Sequence, residues 1–187
     1  LRQALENIPA DVPTIADAKR DDIGNTAAAY AKAVFINLGF DAMTVSPYLG
    51  FDSVAAYAAH EDKGVFVLCR TSNPGAADFQ DLACRYGDET LPLYQVVARK
   101  VDEWNTAGNL GLVVGATYPE ELGIIRGNHP AMTFLIPGIG AQGGDLARTV
   151  ANGADSRGQG MVINSSRQVL YASTGKDFAA AARRAAS

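Results

Sequence analysis

Two carboxylates and an ammonium group lie close together in the stretch Pro13 to Thr26, PTIADAKRDDIGNT. The apolar residues near its start predict a strand over 14–19, and alternate residues of a strand face the same side, so Asp17 and Lys19 share a face. Asp22 follows just past the predicted strand end. Neighbouring carboxylates favour the charged form of a lysine, and ligands of α/β folds bind at the carboxyl ends of strands. Asp17, Lys19 and Asp22 are therefore candidate catalytic residues, with solvated capping side chains as the alternative.

A second group of candidates lies late in the chain and could bind an anion. The stretch Pro137 to Asp145, PGIGAQGGD, is rich in glycine and stands between a predicted strand and a predicted helix. Glycines let backbone amides approach an anion closely, and a following helix N-terminus favours negative charge. Arg167 follows the last predicted strand, and arginine can bind a phosphate with two parallel hydrogen bonds. The loop lacks the GK[ST] of a Walker-type motif, and glycine turns and surface arginines also occur without any ligand.

Few other residues are chemically suited to a site. Ser72, in the turn TSNPGA after the third predicted strand, could hydrogen-bond the amide edge of a planar ligand, although serine is also common in turns. Cys69 and Cys84 lack metal-ligand spacing and are expected to be free thiols in a reducing compartment. His60 and His129 have no ligand spacing either, so both are expected at the surface without a role.

The stretch ADAKRDDIGNTAAAYA resembles the signature of the orotidine 5'-phosphate decarboxylase family, in its bacterial long-chain branch. The family pattern D-x-K-x-x-D-I-x-x-T is matched here by Asp17, Lys19, Asp22, Ile23 and Thr26. SPYLGF, TSNPGA and the glycine-rich loop also fit this family, so the resemblance covers essentially the whole chain. One position departs from the pattern, since Asp21 stands where the branch usually has glycine and adds a third acid beside the site.

The resemblance implies an activity and a role for each catalytic candidate. Family members remove the C6 carboxylate of orotidine 5'-monophosphate in de novo pyrimidine biosynthesis, which gives uridine 5'-monophosphate and carbon dioxide without a metal or other cofactor. Lys19 would stabilise the negative charge on the ring carbon and donate a proton to C6. Asp17 and Asp22 would hold Lys19 in place and favour its charged form.

The resemblance also implies the substrate contacts and the assembly. Ser72 would contact the pyrimidine, Arg167 would bind the phosphate, and Gln142 would close over the phosphate as part of a mobile lid. Asp22, Ile23 and Thr26 would reach into the neighbouring subunit's site, which implies a homodimer with shared active sites. The substrate-binding residues expected on this basis are Ile23, Thr26, Ser72, Pro137, Gln142 and Arg167.

The hydrophobic pattern predicts six strand–helix units in strict alternation. The predicted strands are 14–19, 42–45, 64–71, 110–117, 133–138 and 160–166, and the predicted helices are 25–38, 53–61, 91–107, 119–125, 145–152 and 177–186. Such alternation predicts an α/β fold with a parallel sheet. Glycine-rich turns after the last two strands favour a (β/α)8 TIM barrel, because phosphate-binding barrels build their anion site there.

Composition and length limit the remaining possibilities. The chain has 187 residues, 48% of them hydrophobic, which is enough for one domain with a real core. A net charge of −4 argues against broad binding to nucleic acid or to anionic membranes, and no apolar run approaches the roughly 20 residues that span a bilayer. A cytoplasmic location is therefore expected. Because the chain begins at Leu1 with what resembles a helix end, residues 1–187 are expected to be the last six β/α units of a single barrel domain, incomplete at the N-terminus.

Two alternative functions remain open from the sequence. Sugar-phosphate decarboxylases and aldolases of the same suprafamily share D-x-K-x-x-D and a phosphate site, but they often use magnesium. The continuation IGNT, with SPYLGF and TSNPGA, favours the nucleotide enzyme. The other alternative is an inactive nucleotide-binding fragment, which would keep the phosphate contacts of Gln142 and Arg167 without turnover.

Overall fold

The computed structural model of the protein describes residues 1–140 and 143–187. Its strands are β1 (Ile15–Arg20), β2 (Ala42–Val45), β3 (Gly64–Arg70), β4 (Ala83–Tyr86), β5 (Glu89–Pro92), β6 (Leu110–Val114), β7 (Thr133–Ile136) and β8 (Met161–Ile163). The α-helices are α1 (Arg2–Leu5), α2 (Gly24–Ala31), α3 (Phe51–Ala58), α4 (Ala77–Gln80), α5 (Leu93–Trp104), α6 (Pro119–Asn128), α7 (Leu146–Gly153), α8 (Arg167–Leu170) and α9 (Phe178–Ala186). The six predicted strands are all present, and they form one parallel sheet in the order β1-β2-β3-β6-β7-β8.

The central strands of this sheet are covered on both faces, which explains their nearly continuous apolar sequences. Every residue of β2 and of β6 is buried. Alternate side chains belong to two different clusters, as the pleat of a strand requires. The larger cluster includes Val45, Leu112 and Ile136 and packs against the helices, whereas the smaller one consists of Ala42, Phe66, Val113 and Leu135 on the opposite face.

The sheet curls around its smaller cluster. Ile15 from the first strand and Val162 from the last strand line the same cavity, although β1 and β8 do not pair with each other among the described residues. Because all six strands are parallel, their carboxyl ends and the loops that follow them meet at one edge of this curled sheet. None of the helices in the described ranges is both long enough and apolar enough to cross a membrane.

Two local features differ from the sequence prediction. Residues 83–92 form an antiparallel hairpin whose loop is Gly87 and Asp88, so the helix predicted from residue 91 begins at Leu93. Gly87 has φ +62°, which is typical of such short turns. The helix predicted over 25–38 is α-helical only as far as Ala31 and continues as a π-helix over Lys32–Asn37.

Candidate active site

A cavity of about 750 Å³ lies at the carboxyl ends of the sheet strands. It is lined by Ile15, Asp17, Lys19, Leu68, Thr71, Ser72, Asn73, Val113, Leu135, Pro137, Gly138, Ile139, Val162, Asn164, Ser166 and Arg167. Five of the residues predicted from the sequence therefore come together here, namely Asp17, Lys19, Ser72, Pro137 and Arg167. Of its polar residues, Asp17 and Lys19 lie in β1, Arg167 begins α8, and the others lie in the segments that follow β3 and β8.

The cation on one side of the cavity is Lys19, whose Nζ lies 2.5 Å from Oδ2 of Asp17. Thr44, a fully buried residue of β2, connects the two: its hydroxyl donates to Asp17 Oδ1 at 3.0 Å and accepts from the Lys19 backbone N–H at 2.9 Å. Lys19 has φ +46°, a conformation that residues with a side chain rarely adopt, and the register of β1 with β2 shifts between Ala16 and Arg20. The arrangement can present a fixed positive charge to a ligand.

The other three residues of the signature lie outside this cavity. Asp22, which has φ +117°, lines a neighbouring shallower depression together with Lys19, and its carboxylate accepts the Ile23 backbone N–H at 2.8 Å. No ion pair joins Asp22 to Lys19 within the described chain. Ile23, at the N-terminus of α2, is 54% exposed, and Thr26 is also exposed. A role of these residues in a neighbouring subunit's site stays a prediction.

Asp21, the additional acid, supports the same loop. Its Oδ1 accepts the backbone N–H of Asp22 and the hydroxyl of the buried Ser53, each at 3.0 Å. Tyr57 is fully buried nearby, and burial, followed by the negative charge of Asp21, raises the pKa of its phenol to about 12. The side chain of Asp21 is therefore used to hold the backbone at Asp22.

The glycine-rich loop turns tightly at the end of β7. Gly138 and Gly140 have φ +105° and +76°, and a Cβ on Gly140 would collide with the side chain of Gln168. The backbone N–H of Gly144 donates to the carbonyl of Gly138 at 3.1 Å, which brings the two ends of the loop together. Gly138 and Ile139 line the cavity, so backbone groups of this loop lie at its rim.

Arg167 is the first residue of α8 and lines the cavity from the side of β8. Its guanidinium takes part in no ion pair among the residues that the structure describes, which leaves its charge available to an anion. Gln142 lies outside the described residues. The N-terminus of α7, expected to favour an anion, is capped by Asp145, whose carboxylate accepts the Arg148 backbone N–H at 2.9 Å.

Sequence reasoning missed four polar residues that line the cavity, namely Thr71, Asn73, Asn164 and Ser166. Asn73 follows Ser72, and Asn164 follows β8. The Asn164 Oδ1 atom is buried and has no hydrogen-bond partner among residues 1–140 and 143–187, so it is an acceptor that a ligand could use. An amide at the end of a strand, three residues before Arg167, is the signal that could have identified Asn164.

The histidine expectation was partly wrong, and the expectation that both cysteines are free thiols was confirmed. His129 is buried, and its Nδ1 lies 2.8 Å from Oδ2 of Asp102, because the chain folds the end of α6 against α5. Cys69 and Cys84 are free thiols, and burial raises the pKa of Cys69 to about 12. No group of three histidine, cysteine or acidic side chains in residues 1–140 and 143–187 is arranged to hold a metal ion.

Comparison with known sequences decides the family. A sequence profile of the orotidine 5'-phosphate decarboxylase / HUMPS family matches residues 3–185. The chain belongs to this family. It is 54% identical to orotidine 5'-phosphate decarboxylase of Dehalococcoides mccartyi (strain ATCC BAA-2266 / KCTC 15142 / 195) over 186 residues, which are 100% of this chain and 69% of that protein. The enzyme of the same name from Ralstonia pickettii is 58% identical over 176 residues, which are 94% of this chain and 64% of that one.

Comparison with solved structures shows that the fold agrees with the family. Leishmania donovani OMP decarboxylase superposes with a TM-score of 0.85 at 42% identity, over 98% of this chain and 69% of that one. Leishmania donovani UMP synthase gives a TM-score of 0.87 at 46% identity, over 98% of this chain and 40% of the other. The curled parallel sheet with its helices is thus the (β/α)8 barrel architecture of this family, of which the chain contributes six strands.

Proposed function

We propose that the protein decarboxylates orotidine 5'-monophosphate to uridine 5'-monophosphate, and that residues 1–187 belong to a single barrel domain. The observation that carries the proposal is the ion pair of Lys19 with Asp17 at one side of a cavity that Arg167 enters from another side. Relatives of more than half identical sequence bear the name of this enzyme. A cavity of about 750 Å³ is within the range that holds a small-molecule ligand.

The chemistry requires a cation beside the carbon that loses carbon dioxide. When the bond between C6 and the carboxylate breaks, its electron pair stays on C6. The Lys19 ammonium stabilises this charge and then transfers a proton to C6, which leaves a neutral amine that regains its proton from solvent. The Asp17 carboxylate, fixed by the Thr44 hydroxyl, holds the Lys19 ammonium in position before the reaction.

Contacts far from the reacting carbon supply orientation. Arg167 and the loop that contains Pro137 and Gln142 bind the phosphate, and Ser72 contacts the pyrimidine. Binding energy from the phosphate can then be used to place C6 beside Lys19. Asn164 lines the cavity, and its amide oxygen, which has no partner in the part of the chain that the structure describes, accepts a hydrogen bond from the nucleotide.

The active unit in this proposal is a homodimer in the cytoplasm. Asp22, Ile23 and Thr26 lie outside the cavity of their own chain, and Ile23 is 54% exposed, which fits residues that complete the partner's site. Tyr48 and Leu49, in the neighbouring loop after β2, are also exposed apolar residues. The free thiols of Cys69 and Cys84 fit a reducing compartment. Sedimentation of the natural protein as a monomer at the concentration of the activity assay would contradict the shared site.

The experiment that tests the activity compares Lys19→Ala with Lys100→Ala in the full natural protein. Lys100 is a matched control because it is a surface lysine paired with Glu103 at 2.8 Å, away from the cavity. Lys19→Ala is expected to lower kcat by at least about a thousandfold, since it removes the charge that stabilises the transition state. Lys100→Ala should keep the wild-type rate. Both rates are measured from the decrease in substrate absorbance.

The same assay separates the alternative functions. Turnover that persists after treatment with EDTA excludes the magnesium-dependent sugar-phosphate enzymes. Binding of uridine 5'-monophosphate without any turnover of orotidine 5'-monophosphate by the wild type would indicate the nucleotide-binding alternative. A kcat for Lys19→Ala within tenfold of the wild type would refute the proposed role of Lys19.

A further inference from the structure

The loop that carries Ser72 is hydrogen-bonded to a residue that does not line the cavity. Gln80, the last residue of α4, lies behind the turn formed by Thr71, Ser72 and Asn73. We infer that Gln80 is a positioning residue for this turn and thereby sets the affinity for the nucleobase part of the ligand. This inference rests on the proposed function, in which Ser72 contacts the pyrimidine.

Both ends of the Gln80 amide bind Thr71. The Thr71 backbone N–H donates to Gln80 Oε1 at 2.9 Å, and Gln80 Nε2 donates to the Thr71 hydroxyl oxygen at 2.8 Å. The Thr71 hydroxyl in turn donates to Oδ1 of Asn73 at 2.7 Å. The residues on both sides of Ser72 are therefore connected to a single amide group.

A buried arginine fixes the orientation of that amide. Arg70, the last residue of β3, is 1% exposed, and its Nη1 lies 3.5 Å from Gln80 Oε1. Its Nη2 donates to Asp81, 3.1 Å from Oδ1, and its guanidinium stacks 3.7 Å above the ring of Tyr118. Because Arg70 and the Thr71 N–H are both donors, the amide oxygen must face them, and the amide nitrogen must face the Thr71 hydroxyl.

The neighbouring strand confines the turn from the opposite side. A Cβ on Gly115 would lie 2.8 Å from the backbone N and Cα of Ser72, so the main chain of the turn packs directly on this glycine. The Gly115 N–H donates to the Arg70 carbonyl at 2.7 Å, and the Thr117 hydroxyl donates to the Ser72 carbonyl at 3.3 Å. Ser72 thus lies between the Gln80 amide and the end of β6, and its position depends on both.

Loss of the Gln80 amide removes the acceptor of the Thr71 N–H and the donor to the Thr71 hydroxyl. The turn that carries Ser72 then loses its fixed position. The loss of affinity should be confined to contacts with the nucleobase. The proposed phosphate contacts, Arg167 and the glycine-rich loop, reach the cavity from β7 and β8 and do not depend on this turn. A ligand that has the phosphate and the sugar but no base should therefore bind the variant with unchanged affinity. This difference separates a positioning role of Gln80 from a general contribution to stability.

The test measures binding of uridine 5'-monophosphate and of ribose 5-phosphate to the full natural protein by calorimetry. The variants are Gln80→Ala, the conservative Gln80→Glu, Ser72→Ala, the double variant of Gln80→Ala with Ser72→Ala, and the control Gln159→Ala. Gln159 is an exposed glutamine just before β8, at the amino end of the sheet and away from the cavity. Thermal unfolding of each variant monitors its stability.

Gln80→Ala should weaken uridine 5'-monophosphate binding about five- to tenfold, the size of one lost hydrogen bond. Binding of ribose 5-phosphate should be unchanged, and Gln159→Ala should bind both ligands as the wild type does. Gln80→Glu should recover most of the affinity, because a carboxylate still accepts from the Thr71 N–H and from Arg70. In the double variant the effect of Gln80→Ala should shrink, because the Ser72 hydroxyl through which it acts is absent.

The inference is overturned if Gln80→Ala binds uridine 5'-monophosphate within twofold of the wild type, or if both ligands weaken equally. Full additivity of the two substitutions also overturns it. If Gln80→Ala does not fold, binding of the two ligands is compared with Gln80→Glu instead. An equal loss of affinity for both ligands in that variant also overturns the inference. A wild-type protein that fails to bind uridine 5'-monophosphate overturns the proposed function and this inference together.

Discussion

At the scale of single residues, the site depends on two backbone conformations that are rare for residues with side chains. Lys19 and Asp22 both have positive φ, and each such conformation costs about 1–3 kcal/mol. A hydrogen bond stabilises each: the Lys19 N–H donates to the Thr44 hydroxyl and the Asp22 N–H donates to Asp21. The geometry of the catalytic candidates therefore depends on two neighbours, Thr44 and Asp21, that do not line the cavity.

Replacement of Thr44 by valine tests this dependence at the residue scale. Thr44→Val keeps the side-chain shape but removes the hydroxyl that connects Asp17 to the Lys19 backbone. We expect kcat to fall at least tenfold and the free energy of unfolding to fall by about 1–3 kcal/mol, because the Lys19 N–H and the Asp17 carboxylate both lose a hydrogen-bond partner. Steady-state kinetics and urea unfolding measure the two effects.

Thr133→Val is the matched control for this prediction. Thr133 is an exposed threonine at the start of β7, at the amino end of the sheet. Its replacement should change neither kcat nor stability appreciably. If Thr44→Val retained wild-type kcat, the bridge from Asp17 to Lys19 would have no catalytic importance.

At the scale of elements, the amino ends of the last two strands are tied to their helices by Arg126 of α6. This arginine is buried, and its guanidinium donates to five backbone carbonyls, those of Gly153, His129, Pro130, Met132 and Gly160, at 2.7–3.5 Å. It also stacks 3.8 Å above the ring of Phe134 in β7. The contacts join α6, α7, β7 and β8 at the end of the sheet opposite to the cavity.

Replacement of Arg126 by methionine should therefore destabilise the protein without altering its chemistry. We expect the free energy of unfolding to fall by about 3 kcal/mol or more, because several buried carbonyls lose their donor at once. Below the unfolding transition, the kcat of the folded fraction should stay at the wild-type value. Urea unfolding and initial rates check both statements.

The control for Arg126→Met is Arg157→Met. The Arg157 side chain is 78% exposed, and its ion pair with Asp155 is long, at 3.6 Å. Exposed ion pairs contribute little, so its replacement should change stability by less than about 0.5 kcal/mol. Equal destabilisation by the two variants would show that burial of Arg126 is not the cause.

At the scale of the whole molecule, β1 is the outer strand of the sheet and pairs only with β2 among the described strands. Asp41, just before β2, reinforces this connection: its Oδ2 accepts the Thr14 backbone N–H at 2.8 Å and the Thr14 hydroxyl at 2.9 Å. The Thr14 N–H, followed by its hydroxyl, lowers the pKa of Asp41 below its ordinary value of 3.8. The strand that carries Asp17 and Lys19 is thus held in part by a titratable group.

The pH dependence of stability follows from that shift. Because the pKa of Asp41 is lower in the folded than in the unfolded state, its contribution is complete above the unfolded value of 3.8 and is lost as the pH falls through the folded value. Asp41→Asn should lower stability at neutral pH and flatten the decline of stability below pH about 4. Urea unfolding at a series of pH values measures this decline.

The control for the pH prediction is Asp52→Asn, since Asp52 is an exposed acid in the first turn of α3. Its acid dependence should match that of the wild type. An Asp41→Asn variant with the same decline as the wild type would mean that other carboxylates determine acid stability.

The sequence predicted the fold because the strands are short and apolar and alternate with helices along the chain. Every predicted sheet strand begins within one residue of its position in the structure. The hairpin over 83–92 was missed because its strands are polar and lie on the surface, where no apolar alternation marks them. Thr44 was missed because a lone threonine in an apolar strand resembles a packing residue until its partner Asp17 is known.

What the sequence by itself determined is the set of chemical groups that line the cavity, namely Asp17, Lys19, Ser72, Pro137 and Arg167. Each lies at or near the carboxyl end of a predicted strand, and parallel strands bring such ends together. Only the tertiary structure decided which atoms meet. The Lys19–Asp17 pair depends on a positive φ, and the Ser72 turn depends on an amide nine residues away from Thr71. It also placed Asp22, Ile23 and Thr26 outside the cavity that Asp17 and Lys19 line. Spacing along a chain restricts which face a residue occupies, whereas hydrogen-bond partners between separate elements are decided by packing.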